Sequence, residues 1–255
     1  MTDTGGAKAT AEHWENTWSS PPRFRLPSRL WIGVADMQAI LRAHVKPGMS
    51  VLEIGCAPGK TLAWVDKRLR ARVAGLDYSE RGLAYTRELF RRLAIDGDLR
   101  REDVFATTFP PGSFDVVYSC GVIEHFEDPR EIVRRHVMLA KPGGTALITI
   151  PNYGGLYGRL RKRFDPENLE IHNLAIMNPR ALAALTPRDL VDTSRAYPAG
   201  RLSPWLIRLE RRWPRRLARA TRFFLNGVAL LQPVRIRRLC PMLVLEIRRT
   251  EESPC

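Results

Sequence analysis

Short apolar stretches alternate with amphipathic stretches of helical periodicity between residues 49 and 151. The apolar stretches are SVLEIG, ARVAGLD, SFDVVYS and TALITIP, and the helical stretches include TLAWVDKRL, SERGLAYTRELFRRLA and DPREIVRRHVMLA. Strands that are buried on both faces and joined by helices are typical of a parallel sheet with helices on both sides. The pattern therefore predicts an α/β domain built on a doubly wound sheet.

The rest of the chain divides into segments of different character. AEHWENTW and SRLWIGVADMQAILRAHV have helical spacing, the second with Ser28 as its predicted N-cap, and residues 1–8 are expected to be disordered. DLRRED, DLVDTSRAYP and PMLVLEIRR are interpreted as further strands. We expect N-terminal helices over 1–48, a core over 49–200 and 239–250, and a basic helical insertion over 201–238.

The composition is that of a globular protein with a surplus of positive charge. Of its 255 residues, 44% are hydrophobic, and the formal net charge is +14 with a sequence pI near 10.4. Such a charge attracts acidic partners, namely nucleic acid, an anionic membrane surface or a charged substrate. Charge alone does not choose among them.

The positions of the cysteines and the lengths of the apolar runs indicate the cellular compartment of the protein. Cys56, Cys120, Cys240 and Cys255 are scattered, which disfavours a zinc cage or a disulfide framework and fits a reducing cytoplasm. The N-terminal segment MTDTGGAKAT lacks the apolar core of a signal peptide, and no apolar run approaches the ~18 residues of a membrane span. We expect a cytoplasmic protein, with peripheral contact to an anionic membrane as an open alternative.

The stretch VLEIGCAPGK, which leads from a strand into a helix, has the form of a ligand-binding loop. Gly55 and Gly59 let the backbone approach a ligand closely, and Glu53 is a carboxylate in an apolar strand that needs a partner or a ligand. Asp77 follows 22 residues after Gly55, where a carboxylate can accept from ribose hydroxyls. A dinucleotide would need G-x-G-x-x-G, whereas Pro58 removes an N–H donor here. The loop therefore favours a cofactor without phosphates.

Five motifs in order, VLEIGCAPGK, VAGLDYS, REDVF, GSFDVVYSCGVIEHFEDP and LAKPGGTALITIPN, resemble class I S-adenosylmethionine-dependent methyltransferases over residues 49–152. The family loop reads E/D-x-G-x-G-x-G, so Ala57 stands in place of the middle glycine. The resemblance implies a seven-stranded Rossmann-like sheet with an antiparallel last strand and helical cap insertions. It also implies S-adenosylmethionine as the cofactor.

The resemblance further implies which residues hold that cofactor. The matching positions are Glu53, Gly55, Cys56, Ala57 and Gly59 in the first loop, Asp77 and Tyr78 after ARVAGL, Asp103 and Val104 in REDVF, and Cys120 and Gly121 after SFDVVYS. Asp77 would hold the ribose hydroxyls, and Asp103 would accept from the adenine amino group. A solvated loop carboxylate is the alternative for Asp103, and a helix-capping or loop-bracing carboxylate is the alternative for Glu53.

LPSRLW looks like a stretch of the ubiquinone-biosynthetic O-methyltransferases, where an arginine contacts the carboxylate of the cofactor. Arg29 is the matching residue, and an ordinary surface arginine is the alternative. A guanidinium can pair with a carboxylate through two parallel hydrogen bonds, which gives this hypothesis a physical basis.

Two of the five histidines are candidate general bases. Methyl transfer to an acidic oxygen needs a proton acceptor, and His125 in GVIEHFEDP and His172 in LEIHN lie where the methyl group and the acceptor are expected. A loop-bracing histidine is the alternative for His125, and a solvated one for His172. Tyr153 and Tyr157 are predicted to line the substrate pocket, and the sequence predicts no metal site.

Two further segments admit alternatives. Trp14 and Trp18 lie on one helical face and either form a lid over the cofactor or dock their helix on the core. In 201–238, arginines and apolar residues recur at helical spacing with a break predicted at Pro214. This insertion either packs its apolar face on the sheet, which we favour, or lies at an anionic membrane, or binds nucleic acid, which we disfavour.

The sequence thus predicts a methyltransferase that acts on a small organic acceptor and favours O-methylation of a secondary metabolite or a quinone-like or lipid-like substrate. One alternative is a nucleic-acid or protein methyltransferase that docks through the basic insertion. Another is a non-catalytic scaffold that binds S-adenosylmethionine. No oligomeric state is predicted.

Overall fold

A computed structural model describes residues 6–22, 24–27, 32–231 and 237–251. Its strands are β1 (Ser50–Ile54), β2 (Arg72–Leu76), β3 (Gly97–Arg100), β4 (Phe114–Cys120), β5 (Ala140–Pro151), β6 (Val191–Ala199) and β7 (Met242–Arg249). They form one seven-stranded sheet in the order β3-β2-β1-β4-β5-β7-β6, and β7 runs antiparallel to both of its neighbours. The predicted fold class is confirmed, including the antiparallel last strand.

The helices cover both faces of this sheet. They are α1 (Ala11–Thr17), α2 (Ile32–His44), α3 (Lys60–Trp64, continued by a π-helical turn at Val65–Leu69), α4 (Glu80–Leu93), α5 (Arg130–Leu139), α6 (Leu156–Phe164), α7 (Glu167–Glu170), α8 (Pro179–Ala183) and α9 (Arg215–Leu230). None of these helices is long and apolar enough to cross a membrane. The predicted N-cap of α2, Ser28, lies outside the described residues.

Alternation along the central strands explains the two covered faces. In β1, Leu52 and Ile54 belong to one buried apolar cluster and Val51 belongs to the other, because successive side chains point to opposite faces. Residues of α2, α3 and α4 complete the cluster around Val51, and residues of α5 and α8 complete the one around Leu52. Each buried Val, Leu or Ile contributes about 1.5–3 kcal/mol, so the double covering fixes the sheet.

Side-chain caps fix the beginnings of two helices. Ser79 Oγ accepts from the backbone N–H of Gly82 at 3.0 Å and caps α4. Asn178 accepts from Ala181 N–H at 2.9 Å and caps α8.

Two local expectations were wrong. The strand predicted over DLRRED ends at Arg100. Residues 6–8, expected to be disordered, are hydrogen-bonded to the loop around Phe126: Lys8 N–H donates to His125 O at 2.8 Å, and Glu127 N–H donates to Gly6 O at 2.9 Å.

The basic insertion lies between β6 and β7 and contains α9. The predicted helix break is confirmed, since α9 begins immediately after Pro214. The favoured packing of its apolar residues holds for only part of the insertion. Leu209 is buried in the larger apolar cluster, and in α9 Ala218 and Ala229 are buried, whereas Phe223 and Phe224 are exposed. The small alanines allow α9 to pack closely against the rest of the protein, and its larger apolar side chains then face outward.

Candidate active site

A cavity of about 450 Å³ opens at the carboxyl ends of β1, β2 and β4. Ligands of open α/β sheets bind at this edge, where the strand order reverses on either side of β1. Eight of the predicted cofactor residues line the cavity: Gly55, Ala57, Asp77, Tyr78, Asp103, Val104, Cys120 and Gly121. Arg29 lies outside the described residues.

The loop after β1 approaches the cavity through a glycine that no other residue can replace easily. Gly55 has φ +71°, and a Cβ there would lie 2.7 Å from the side chain of Val122. Its N–H donates to Leu76 O at 2.9 Å, and Cys56 N–H donates to the same carbonyl at 3.1 Å. The loop is therefore tied to the end of β2 with its backbone facing the cavity.

Asp77 joins this loop to the end of β2. Its Oδ2 accepts from Ala57 N–H at 3.0 Å, and its Oδ1 accepts from Ser79 N–H at 2.9 Å. Burial raises the pKa of this carboxyl, although the two N–H donors oppose the rise. Each carboxylate oxygen keeps a further lone pair, so Asp77 can accept from a vicinal diol while it holds the loop.

Tyr78, Asp103 and Val104 form the next part of the wall. Asp103 Oδ1 accepts from Phe105 N–H at 3.0 Å and caps the short 3-10 helix Val104–Ala106. Asp103 therefore braces its loop and lines the cavity at once. Burial raises the pKa of Tyr78, so its ring faces the cavity as a neutral phenol.

Three predicted cofactor residues lie beneath the loop and do not line the cavity. Glu53 is buried beside Tyr118 of β4, and burial raises its pKa to about 8. The Cys56 side chain packs towards β2, where a Cβ at Gly75 would lie 2.8 Å from its Sγ. Gly59, at the start of α3, has φ +76° and packs against Thr86 of α4. For these residues the structure supports a bracing role.

Cys120 and Gly121 separate this cavity from a second one. The second cavity, of about 340 Å³, shares both residues with the first. Its wall is mainly apolar and includes Met37, Trp64 and Leu206. The end of β4 is thus open to ligands on both sides, as expected for the place where donor and acceptor meet.

Helix α1 covers the first cavity. Trp14 and Trp18 both line it, which places them where the lid hypothesis requires. Glu15 fixes the helix, since its carboxylate accepts from the backbone N–H groups of Glu80 at 2.6 Å and Arg81 at 3.3 Å. Although burial opposes the change, these hydrogen bonds at the start of α4 lower the pKa of Glu15.

The two candidate bases lie together although they are far apart in sequence. The imidazole rings of His125 and His172 are 4.7 Å apart, and His125 lines the first cavity. His125 Nδ1 bonds to Ile171 O at 2.8 Å and His172 Nδ1 to Asn168 O at 2.5 Å. A carbonyl only accepts, so each Nδ1 carries the proton and each Nε2 keeps its lone pair. Burial lowers both pKa values, that of His172 to about 4, which keeps the rings neutral.

Glu124 completes this group and was missed in the sequence. It is buried, burial raises its pKa to about 8, and no described residue hydrogen-bonds its Oε2. Its donor atom and those of His125 and His172 lie within 4.8 Å of one another. Among the described residues this is the one group with donors spaced for a cation. The only sign of this group in the sequence is that Glu124 and His125 are adjacent, because His172 belongs to another loop.

The two predicted substrate residues do not line either cavity. Tyr153 packs edge-on against His172, with ring centroids 5.2 Å apart, so it supports the histidine pair. Tyr157 is buried, and its hydroxyl donates to Leu239 O at 2.9 Å and accepts from Ser203 N–H at 2.8 Å. The prediction for Tyr157 was wrong, because both hydrogen bonds commit its hydroxyl to holding the insertion.

The residues present fit an adenosyl cofactor without phosphates. The cavity offers the Asp77 carboxylate for a ribose diol and the backbone of the loop at Gly55 and Ala57, which lines it. The same loop has Pro58 where a phosphate-binding loop would present an N–H. S-adenosylmethionine meets these requirements, and a dinucleotide does not.

The fold has close counterparts among solved structures. Phosphoethanolamine N-methyltransferase 2 of Haemonchus contortus, solved with phosphomonomethylethanolamine and S-adenosylhomocysteine, superposes with a TM-score of 0.58 at 18% identity over 85% of this chain and 52% of that one. The [4+2]-cyclase SpnF superposes with a TM-score of 0.57 at 14% identity over 97% of this chain and 99% of that one. The fold defined by sheet and site is the class I methyltransferase fold.

Sequence comparison identifies similar proteins. Residues 52–148 match the family described as a methyltransferase domain. A probable S-adenosylmethionine-dependent methyltransferase of Mycolicibacterium smegmatis is 36% identical over 43% of this chain and 41% of its own length. A ubiquinone biosynthesis O-methyltransferase of Albidiferax ferrireducens is 34% identical over 43% and 44%, and phosphoethanolamine N-methyltransferase 1 of Arabidopsis thaliana is 30% identical over 42% and 22%.

The match identifies residues 52–148 as a methyltransferase domain that is similar to those of S-adenosylmethionine-dependent methyltransferases, and S-adenosylmethionine is the cofactor that the site fits. The aligned part spans less than half the length of these three curated relatives. The names of the relatives include both O- and N-methyltransferases, so this similarity leaves the acceptor open.

Proposed function

We propose that this chain transfers the methyl group of S-adenosylmethionine to an oxygen atom of a small organic acceptor. The observation that carries the proposal is the neutral His125–His172 pair, since His125 lines the same cavity as Asp77, Asp103 and Gly121. When bound, the cofactor supplies an electrophilic methyl carbon. The chain's own residues supply position, exclusion of water and a proton acceptor.

Each of these tasks has a structural counterpart. Asp77 and the loop at Gly55 bind and orient the cofactor, and the cover formed by Trp14 and Trp18 excludes water. The proton of an acceptor hydroxyl is taken by an imidazole Nε2, since Nδ1 of each histidine is held by a carbonyl. In this proposal residues 49–200 and 239–250 form the core, and 1–48 and 201–238 cover it.

The histidine pair favours oxygen over nitrogen as the accepting atom. A neutral amine attacks the methyl carbon without prior loss of a proton, whereas a phenol-type hydroxyl benefits from a base at neutral pH. The names of the relatives include both O- and N-methyltransferases. The walls of both cavities are mainly apolar, which favours a secondary metabolite or a quinone-like or lipid-like acceptor over a small polar one.

Transfer of labelled methyl from S-adenosylmethionine tests the proposal directly. The purified chain is incubated with labelled cofactor and, in parallel, with alkylated phenols and quinols, ethanolamine derivatives, RNA and protein. We expect label in the phenol or quinol fraction, lost when His125 is replaced by Gln. Label in the ethanolamine, RNA or protein fraction would overturn the proposed acceptor. Tight cofactor binding without transfer to any acceptor would favour a non-catalytic scaffold.

A further inference from the structure

The exposed apolar surface of the described chain is concentrated in one segment. Nine large apolar side chains are exposed, and six of them belong to residues 213–231: Trp213, Leu217, Phe223, Phe224, Val228 and Leu231. Phe223 and Leu231 are each 83% exposed. Isolated exposed apolar residues are ordinary, but a contiguous group of aromatic and aliphatic side chains marks an interaction site.

Helical geometry shows that this exposure follows from the way α9 packs. Ala218 and Ala229 are 11 residues apart, about three turns, and both are fully buried on one face. Leu217, Phe224 and Val228 are spaced by seven and four residues, so they share a different face, and that face is exposed. The helix therefore presents its larger apolar residues to the outside and its small ones to the protein.

Positive charge lies beside part of this apolar surface. Residues 211–231 contain six arginines and no acidic residue. Arg215 and Arg219 are exposed and one turn apart, and Arg219 lies one turn before the exposed Phe223 on the same side of α9. Arg222 instead turns to the protein and pairs with Glu210 at 3.1 Å. A helix with apolar side chains on its outer face and guanidinium groups beside them fits the boundary between lipid headgroups and acyl chains.

We propose that residues 211–231 dock this protein on an anionic lipid bilayer, with Phe223, Phe224 and Leu217 entering the acyl boundary and Arg215 and Arg219 contacting headgroup phosphates. Charge complementarity selects this occupant. Nucleic acid would use the arginines but would leave the exposed aliphatic residues in water. A second copy would bring two arginine-rich surfaces together and is disfavoured by repulsion.

The docking surface adjoins the site described above. Ser203 and Leu206 belong to the same insertion and line the second cavity. Arg161 of α6 donates to Leu206 O at 2.9 Å, which fixes that part of the insertion to the core. Docking therefore brings the second cavity near the bilayer, where an acceptor with an apolar chain is concentrated. The docking proposal itself does not depend on the identity of the acceptor.

Vesicle binding tests the proposal with matched variants. The full chain is sedimented with vesicles of phosphatidylcholine alone or with added phosphatidylglycerol, and binding is compared for Phe223→Ser/Phe224→Ser and Arg215→Gln/Arg219→Gln. The control variants are Leu156→Ser, an exposed apolar residue outside the segment, and Arg68→Gln/Arg188→Gln, two exposed arginines elsewhere. Cofactor affinity confirms that every variant is folded.

We expect binding to anionic vesicles that is about tenfold weaker in each double variant of the segment and unchanged in the controls. Added salt should weaken binding of the original chain, because the headgroup contacts are electrostatic. Equal binding by all variants would overturn the proposal. Binding to single-stranded RNA but not to vesicles would assign the surface to nucleic acid, and a dimer that is lost in Phe223→Ser/Phe224→Ser would assign it to a second copy.

Discussion

The indole ring of Trp14 packs edge-on against the imidazole of His125, with ring centroids 4.9 Å apart and an angle of 81° between their planes. This contact links the N-terminal helix α1 to the loop after β4, and both residues line the first cavity. Since His125 is also bonded to Ile171, the contact fixes the imidazole from two sides. The cover of the cavity and its candidate base are therefore one structural unit.

Replacement of Trp14 by Ala should weaken cofactor binding. The indole closes the cavity, and an aromatic pair of this geometry contributes about 0.5–1.5 kcal/mol beyond the area that it buries. We expect affinity for S-adenosylmethionine to fall by about tenfold, measured by titration calorimetry. Trp213→Ala removes a partly exposed tryptophan outside both cavities and should leave the affinity unchanged. Equal losses in the two variants would show that Trp14 has no special role as a cover.

Replacement of His125 by Gln should lower turnover more than cofactor affinity. Gln keeps a polar side chain of similar reach but accepts no proton at neutral pH, and loss of a general base typically costs about 10²–10⁴ in rate. We therefore expect kcat to fall by about that factor while the Kd for the cofactor changes little. His44→Gln, a change distant from both cavities, is the control. A large loss of cofactor affinity with kcat preserved would instead assign His125 to binding.

A chelator distinguishes proton acceptance from cation binding as the role of the group formed by Glu124, His125 and His172. If the histidines accept a proton, dialysis against EDTA leaves methyl transfer unchanged, and addition of zinc or manganese does not raise it. We expect that result, with the metal content of the purified protein measured in parallel. Loss of activity on chelation and its recovery with one divalent ion would show that the group coordinates a cation.

Replacement of Glu53 by Gln should stabilise the protein increasingly as pH rises. Burial raises the folded-state pKa of Glu53 from 4.5 to about 8, so the folded protein keeps a proton that the unfolded chain releases above pH 4.5. Stability from this group is full below about pH 4.5 and is lost progressively up to pH 8. Gln is neutral throughout, so its advantage should grow between these limits to a few kcal/mol.

Thermal unfolding of the two proteins at several pH values measures this difference. The variant's gain in Tm should be small near pH 5 and largest at pH 8 and above. Glu88→Gln is the control, because the exposed carboxylate of Glu88 is paired with Arg91 and Arg92, which lower its pKa. A gain that does not vary with pH would mean that Glu53 is ionised in the folded protein.

The strands and the first loop were predictable because their signals are local. Apolar stretches such as VLEI bury both faces of a strand, and Gly55 and Asp77 stand at fixed positions relative to strand ends. The same local logic places Asp103 and Gly121 at the cavity. A parallel sheet brings its carboxyl ends to one edge, so motifs that follow successive strands meet there.

The histidine pair and the outward face of α9 depend on packing between distant segments. His172 reaches His125 because Asn173 N–H donates to Glu124 O at 2.6 Å, a contact without a sequence pattern. Periodicity defined the faces of α9, but not which one is buried. The usual preference for burying Phe was overridden at Phe223 by the close approach of Ala218 and Ala229.

Binding of S-adenosylmethionine by the original chain and by Asp77→Ala is the most direct test of the central claim, that the cavity at the ends of β1, β2 and β4 holds this cofactor. Titration calorimetry should show one site in the original chain. Affinity should be about tenfold to a hundredfold weaker in Asp77→Ala, where hydrogen bonds to a charged group are lost, and unchanged in Asp98→Ala on β3. No binding by the original chain, or equal affinity in Asp77→Ala, would contradict the account.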